Sequence, residues 1–218
     1  MISVIVPTHN EEALLPACLE SITCQQADKE IIVVDGASND RTLKLARSCA
    51  DKVISLDKAG LPAQLNADAN QARGEILLFL HADCRLAPGS LDRLKALSPR
   101  IVGGAFTMQL DGKKIHYRVL SLGGNIYCRF TGTYFGDRGM FVRASVFRDL
   151  GGFAALPIMA DVDFSHRLRG AGKRLLLKGP VISSTRKFDD ESPWRNLYLI
   201  IYALLAFRFR VDPGRIKQ

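Results

Sequence analysis

Apolar residues along this chain arrive in short unbroken runs, separated by stretches in which they recur every three or four positions. Residues 2–6 (Ile-Ser-Val-Ile-Val) are the first run, closed by Pro7, and predict a buried strand. Over residues 11–25, Leu14, Leu15, Cys18, Leu19 and Ile22 share one side of a helical repeat. They predict an amphipathic helix with Glu11 and Glu12 in its first turn. Residues 31–34 read as a second strand, Asp40 as the cap of a helix reaching residue 50, and residues 53–56 as a third strand. A helix over 61–72 stops before Gly74, and residues 76–80 form a fourth apolar run. Strands apolar on both faces, alternating with helices, predict a doubly wound, mainly parallel α/β sheet.

Beyond that point the alternation breaks. A longer strand is expected over 101–110, a helix over 115–130, a glycine-containing loop over 131–139 and a short strand over 140–142. A helix over 162–171 and a strand over 174–177 follow, and then a polar, punctuated loop over 183–195 that holds Trp194. The segment 197–207 is wholly apolar and flanked by Arg195, Arg208 and Arg210, yet shorter than the ~20 residues that span a bilayer. Three readings stay open for it: a packing helix, an interfacial helix on the inner face of a membrane through residues 196–210, and a dimer contact.

At 218 residues, 47% apolar and 24% charged, the chain is globular in composition, and one domain over 1–218 is expected. Five cysteines without a CxxC pair argue for reduced thiols, against a zinc module and for a cytoplasmic protein. Met1 leads directly into the first strand, so no signal peptide is expected. Charge is divided unevenly: residues 1–111 carry 11 basic and 14 acidic side chains, residues 112–218 carry 19 and 8. That division turns the second half toward something anionic, a phosphate-bearing ligand or a membrane surface. Nucleic acid is disfavoured, because no helix-turn-helix, zinc-finger or basic-zipper pattern is present.

Ligands of an open parallel sheet bind beyond the carboxyl ends of its strands. There the chain places Pro7-Thr-His-Asn-Glu-Glu12, Asp35-Gly-Ala-Ser-Asn-Asp40, Asp57-Lys-Ala-Gly60 and His81-Ala-Asp83. Asp35 and Asp83 lie at or just beyond the last apolar strand residue, which points them into the crevice to meet a base, a ribose or a divalent cation. A dinucleotide-binding domain fails at its diagnostic turn, which has no glycine where G-x-G-x-x-G is required. A nucleotidyltransferase would want a glycine-rich loop there too. A pyrophosphate in this crevice must be neutralised otherwise, and a metal on Asp83 is the natural candidate.

Six pieces in order carry a resemblance: Val4-Ile-Val-Pro-Thr-His-Asn-Glu-Glu12, Ile32-Val-Val-Asp-Gly-Ala-Ser-Asn-Asp-Arg-Thr42, Gln64-Leu-Asn66 with Ala72-Arg-Gly-Glu-Ile-Leu-Leu-Phe-Leu-His-Ala-Asp83, Gly136-Asp-Arg-Gly-Met-Phe-Val-Arg143, Gly151-Gly-Phe153 and Met159-Ala-Asp-Val-Asp-Phe-Ser-His-Arg-Leu168. The chain resembles the family-2 glycosyltransferases of GT-A fold. Phe79-Leu-His-Ala-Asp83 and Phe135-Gly-Asp137 resemble a small bacterial branch of the arsenosugar-biosynthesis type.

The resemblance implies a Rossmann-like, mainly parallel sheet with a short antiparallel strand in the acceptor half. It divides the chain into a nucleotide-sugar half (1–111), an acceptor half (112–195) and a C-terminal helix (196–218). It implies transfer of one sugar from a nucleotide-sugar, a UDP-sugar by preference, to an acceptor hydroxyl, with inversion and with Mn²⁺ or Mg²⁺. Pro7, Thr8, Asn10 and Glu12 border base and ribose, Glu12 as the ribose partner, and Asp35 hydrogen-bonds the base. Lys58, Asn66, Ala82, Gly136 and Arg167 join the substrate-binding set, Arg167 facing phosphate. His81 and Asp83 hold the metal, and Asp161 is the general base, with the like charge of Asp163 raising its pKa. From spacing alone, Asp161 reads as the cap of the helix that follows.

Several positions depart from the family pattern. His81 replaces the first Asp of the metal motif, Gly36 the second Asp of Val-Asp-Asp-Gly-Ser, and Ala160 the Glu of the Glu-Asp pair, while Leu61 stands near a basic position. The Gln-x-x-Arg-Trp motif of processive synthases is missing, which favours single-sugar transfer. A non-catalytic nucleotide-sugar binder is the alternative that these departures keep open, beside the nucleotidyltransferase. His9 and His166 read as structural or surface residues. The acceptor, possible anionic character aside, and the oligomeric state are unspecified by the sequence.

Overall fold

The computed structural model describes residues 1–67, 69 and 71–186. The apolar segment 197–207, Trp194 and the polar stretch from residue 187 onward lie outside the described residues. One eight-stranded sheet forms the centre. Its strands are β1 (Ile2–Thr8), β2 (Lys29–Gly36), β3 (Lys52–Leu56), β4 (Ile76–Phe79), β5 (Cys84–Leu86), β6 (Ile101–Leu110), β7 (Met140–Arg143) and β8 (Lys173–Ser183), in the spatial order β3-β2-β1-β4-β7-β6-β8-β5. β1 to β4 run parallel, as do β6 and β8, whereas β7 and β5 are antiparallel to their neighbours. The doubly wound, mainly parallel sheet and the short antiparallel strand after residue 139 are therefore both present.

The helices are α1 (Leu15–Thr23), α2 (Thr42–Cys49), α3 (Leu61–Asn66), α4 (Ser90–Lys95), α5 (Ile115–Thr131), α6 (Ala144–Asp149) and α7 (Ala160–Ala171). α1 starts four residues later than its apolar repeat predicts. Pro16 sits in its first turn, and Glu11 to Leu14 form a tight turn instead, with Leu14 N–H and Leu15 N–H both donating to Glu11 C=O. α3 ends at Asn66 rather than at residue 72. β8 runs on to Ser183, past Lys178-Gly179-Pro180, where two steps along β6 oppose four along β8 and Gly179 has φ +105°.

Each face of the sheet has its own apolar layer. One packs β1, β2 and β4 under α1 and α4, with Leu15, Leu19, Ile22, Leu91 and Leu94 fully buried. The other is aromatic: Phe79 lies 4.9 Å from Phe153 and 5.2 Å from Phe147, and Phe153 lies 4.6 Å from Phe164. Rings at these separations add to the stabilisation from their burial, and they fix the floor of the crevice.

β7 is only four residues long and reaches β6 only at Gly103 and Gly104, which leaves the far half of β6 without a strand on that side. Helix α5 covers that edge with side chains. Asn125 accepts from Met108 N–H and donates to Met108 C=O, both at 2.9 Å, and Ser121 Oγ accepts from Leu110 N–H at 3.0 Å. Unpaired backbone groups would be costly in the interior, so the inner side of this helix carries Ser121 and Asn125 beside the apolar Tyr117 and Leu120, which pack on Met108 and Leu110.

Candidate active site

The sheet changes winding direction between β1 and β4, and the turns that follow these strands border one crevice. Pro7 and Thr8 are buried at the end of β1. Asn10 takes a left-handed conformation (φ 54°), and the turn it opens is laced to the turn after β2. Asn10 N–H donates to Ser38 Oγ (2.9 Å), Asn39 N–H to Asn10 Oδ1 (2.9 Å), Glu11 N–H to Thr42 Oγ1 (2.8 Å) and Glu12 N–H to Asp40 Oδ2 (3.2 Å). Asp40 also accepts from Thr42 N–H at 2.9 Å, so it does cap α2, from one residue ahead of the position expected for a cap. His9 is structural as expected: Nδ1–H donates to Gly36 C=O at 2.7 Å, while Nε2 accepts from Asn10 Nδ2.

Asp35 stands at the crevice but does not open its oxygens to it. The carboxylate is buried and accepts from Thr8 Oγ1 (3.2 Å), Ser38 N–H (3.0 Å) and Ser38 Oγ. Glu12 accepts from the backbone N–H and the guanidinium of Arg41, which hold its carboxyl below the usual range. Lys58 is exposed beyond β3, and Ala82 is a core residue.

Two residues expected to bind substrate are engaged by the protein itself. Asn66 clamps the chain ahead of α7, donating to Phe153 C=O (2.8 Å) and accepting from Phe153 N–H (2.9 Å). Arg167 is spent in the same place, on Asp163 (2.8 Å), Leu150 C=O (2.7 Å) and Gly152 C=O (2.8 Å), above the ring of Phe164. Three acceptors leave its guanidinium committed to the protein.

His81, Gly136 and Asp161 do meet. They share the wall of a cavity of about 680 Å³ with Asp137 and Arg138, and its remaining walls are largely apolar, among them Leu61, Phe79, Tyr127, Phe153 and Ile158. Asp161 is the second residue of α7 and not its cap, a position held by Met159 in a left-handed conformation (φ 61°). Its carboxylate accepts from Gly136 N–H at 2.7 Å and Val162 N–H at 2.8 Å. Burial raises its pKa; those two bonds oppose the rise, and the nearby charge of Asp137 adds to it. The like charge is thus Asp137 rather than Asp163, which pairs with Arg167.

A side chain at Gly136 would crowd this spot. A Cβ there would stand 2.9 Å from His81 Nε2 and 3.5 Å from Asp161 Oδ2. His81 Nε2 and Asp137 Oδ1 are both buried without a hydrogen-bond partner. Asp83 is buried beyond His81 and accepts from Cys84 Sγ at 3.3 Å. Sequence reasoning quoted Gly136-Asp-Arg as a motif but missed Asp137 and Arg138 as cavity walls; their adjacency to Gly136 was the available signal. Among the described residues no cluster of three or more His, Cys, Asp and Glu side chains forms a metal cage, and no helix is long and apolar enough to cross a membrane.

Comparison with known proteins adds three findings. A family model described as "Glycosyl transferase family 2" matches residues 3–147. Glycosyltransferase AglE of Haloferax volcanii is 28% identical over 244 residues, covering 99% of this chain and 73% of that one; other curated relatives are matched over less than half their length. In structure the chain is similar to residues 1–349 of Staphylococcus aureus TarS in complex with UDP-GlcNAc (TM-score 0.68, 21% identity, 85% of this chain and 58% of that one). It is similar as well to the mannosyltransferase PcManGT of Pyrobaculum calidifontis in complex with GDP-Man and Mn²⁺ (TM-score 0.67, 23% identity, 93% and 60%). The chain spans about three fifths of each of these two solved structures, and both share its GT-A fold.

Proposed function

The chain belongs to glycosyltransferase family 2, and on that premise we propose that it moves a single sugar from a nucleotide-sugar to an acceptor hydroxyl with inversion, Asp161 serving as the general base. The observation that carries this reading is the Asp161 carboxylate, held at a fixed angle by Gly136 and Val162 N–H in the wall of a largely apolar cavity, with its pKa raised by burial. A base must stand within about 2.6–3.2 Å of the proton-bearing oxygen it serves and must not be too weak to take the proton, and a raised carboxylate meets the second need. The Asp takes the acceptor proton as the hydroxyl oxygen attacks the anomeric carbon, and the nucleoside diphosphate departs from the opposite face.

UDP-GlcNAc and GDP-Man, in the complexes of the two structural neighbours, support a nucleotide-sugar donor, and Mn²⁺ in one of them supports a divalent cation. The residues present fit such an ion. His81 Nε2 is buried with no hydrogen-bond partner, which is the state of an imidazole nitrogen that lacks only its ligand, and Asp83 supplies a carboxylate two residues on. His81 and Asp83 would hold it, and one neutral and one anionic protein donor suit Mn²⁺ better than Mg²⁺. When bound, the ion would neutralise charge on the departing diphosphate. Donor binding falls to the first half of the chain and acceptor binding to residues 112 onward.

A nucleotide-sugar panel tests the reading. UDP-, GDP- and dTDP-sugars, each with and without Mn²⁺, are screened by thermal shift; a ligand at 100 times its Kd adds about 2.7 kcal/mol. Sugar release is then assayed for every donor that binds. A Mn²⁺-dependent shift with turnover is expected, and binding without turnover at every donor would turn the assignment to a non-catalytic nucleotide-sugar binder.

A further inference from the structure

Helix α5 is built inside out. Toward the sheet it presents Tyr117, Ser121, Asn125 and Cys128, of which Ser121 and Asn125 bond the open edge of β6. Toward solvent it presents Ile115 (70% exposed), Val119 (62%), Leu122 (61%), Ile126 (48%) and Phe130 (83%). These five recur at intervals of four, three, four and four residues, so they form one continuous stripe about 22 Å long at 1.5 Å per residue. Isolated exposed apolar residues are ordinary, but a five-residue stripe on one helix face marks a surface that meets something.

Charge around the stripe narrows the choice. Lys113, Lys114, Arg118 and Arg129 are all exposed, and no acidic residue occurs between Asp111 and Asp137. At about 100° per residue, Arg118 and Arg129 flank the stripe on one side, while Gly123 and Tyr127 on the other side line the cavity that holds Asp161. A second copy of the chain docked face to face would set these cations against themselves. The chain's own apolar segment 197–207 is bracketed by Arg195, Arg208 and Arg210, and would do the same. An anionic lipid surface satisfies both features, taking the apolar stripe at the acyl boundary and the cations among phosphates.

We propose that helix α5 is a membrane-docking element that lies in the interface of an anionic bilayer, with the mouth of the cavity opening alongside it. The test is co-sedimentation of the full chain with vesicles of phosphatidylcholine and phosphatidylglycerol, and with phosphatidylcholine alone, at low and high salt. The wild type should be retained by the anionic vesicles at low salt and released as salt rises. Leu122→Glu/Ile126→Glu should lower its partition roughly tenfold or more, and Arg118→Glu/Arg129→Glu should abolish the preference for the anionic lipid. Circular dichroism and size exclusion accompany each variant.

Equal retention of wild type and Leu122→Glu/Ile126→Glu would overturn the proposal and move the contact elsewhere, with residues 196–210 the first place to look. No retention of wild type at either salt would overturn it too. A sharp fall in melting temperature for Leu122→Glu/Ile126→Glu would show the stripe covered by the chain itself, and a wild-type dimer made monomeric by the same variant would show a second copy as the occupant. Neither result leaves the lipid assignment standing.

Discussion

Replacing Asn125 by alanine asks whether α5 is held to the sheet by polar contacts rather than by apolar burial. The side-chain amide accepts from Met108 N–H at 2.9 Å, donates to Met108 C=O at 2.9 Å and accepts from Arg138 Nη1 at 2.6 Å. Alanine leaves both backbone groups of a buried strand residue unpaired on that edge, beside a buried guanidinium whose Nε already lacks a partner. Each buried group so orphaned costs about 1–3 kcal/mol, and water entering the vacated space returns part of it, so a net loss of about 2–5 kcal/mol is expected. That is a large share of the ~5–15 kcal/mol by which a domain is stable. Urea denaturation followed by far-UV circular dichroism measures it, as a lowered midpoint with an unchanged slope. Asn125→Asp keeps both acceptor contacts but sets a carboxylate oxygen against Met108 C=O, so its loss should be about 1–3 kcal/mol, less than that of alanine. An alanine variant within about 0.5 kcal/mol of wild type would refute the reasoning, because that is the range of surface changes that touch nothing.

Further outcomes are expected at three positions. Asp161→Asn should lower kcat roughly 10²–10⁴-fold with donor KM within a few fold, and equal loss of both would mark Asp161 as structural. Because burial raises the Asp161 pKa above its ordinary 3.8, wild-type activity should fall as pH drops through that raised value. The charged form is the one the fold disfavours, so the melting temperature of wild type relative to Asp161→Asn should decline as pH rises from 3.8 through it. Asp83→Ala, or chelation of divalent cations, should abolish Mn²⁺-dependent donor binding while leaving the melting temperature of the unliganded protein little changed; undiminished binding in Mn²⁺ counts against the proposed ion site. Gly104→Ala would drive a Cβ into Leu175 C=O inside the sheet, so soluble protein should be lost, and normal yield would contradict the parallel β6–β8 register.

Where the sequence was legible, a long repeat or a fully apolar run carried the signal: β1, β2, β4, β6, α5 and α7 lie close to where periodicity puts them. β5 escaped because three residues have no period, and Cys84–Leu86 become a strand only by meeting Val181–Ser183 a hundred residues later. Lys178-Gly179-Pro180 hid the continuation of β8, since a bulge looks like a strand's end until its partner is known. His81, Gly136 and Asp161 could be read as candidates because each sits in a recognisable motif. The partners of Asn66, and all but Asp163 of those of Arg167, are backbone carbonyl and amide supplied by the 150–153 turn, and such groups leave no trace in residue type. The stripe on α5 is visible in the sequence, but which side faces the sheet is decided by the shortness of β7.

The two laced turns at the crevice rim carry a consequence for how fast and at what entropic cost a donor is received. The backbone N–H groups of Asn10, Glu11, Glu12, Ser38, Asn39, Arg41 and Thr42 all donate to side-chain oxygens, although most of these residues lie at the surface. Surface turns ordinarily sit at the low end of local stability and surrender their amide protons to solvent within moments. These should instead exchange together and slowly, as one opening unit, in the absence of any ligand. A ligand meeting such a rim does not have to freeze it, so the ordering that loops usually pay on association, about 1–2 kcal/mol of backbone entropy per residue, has been settled during folding.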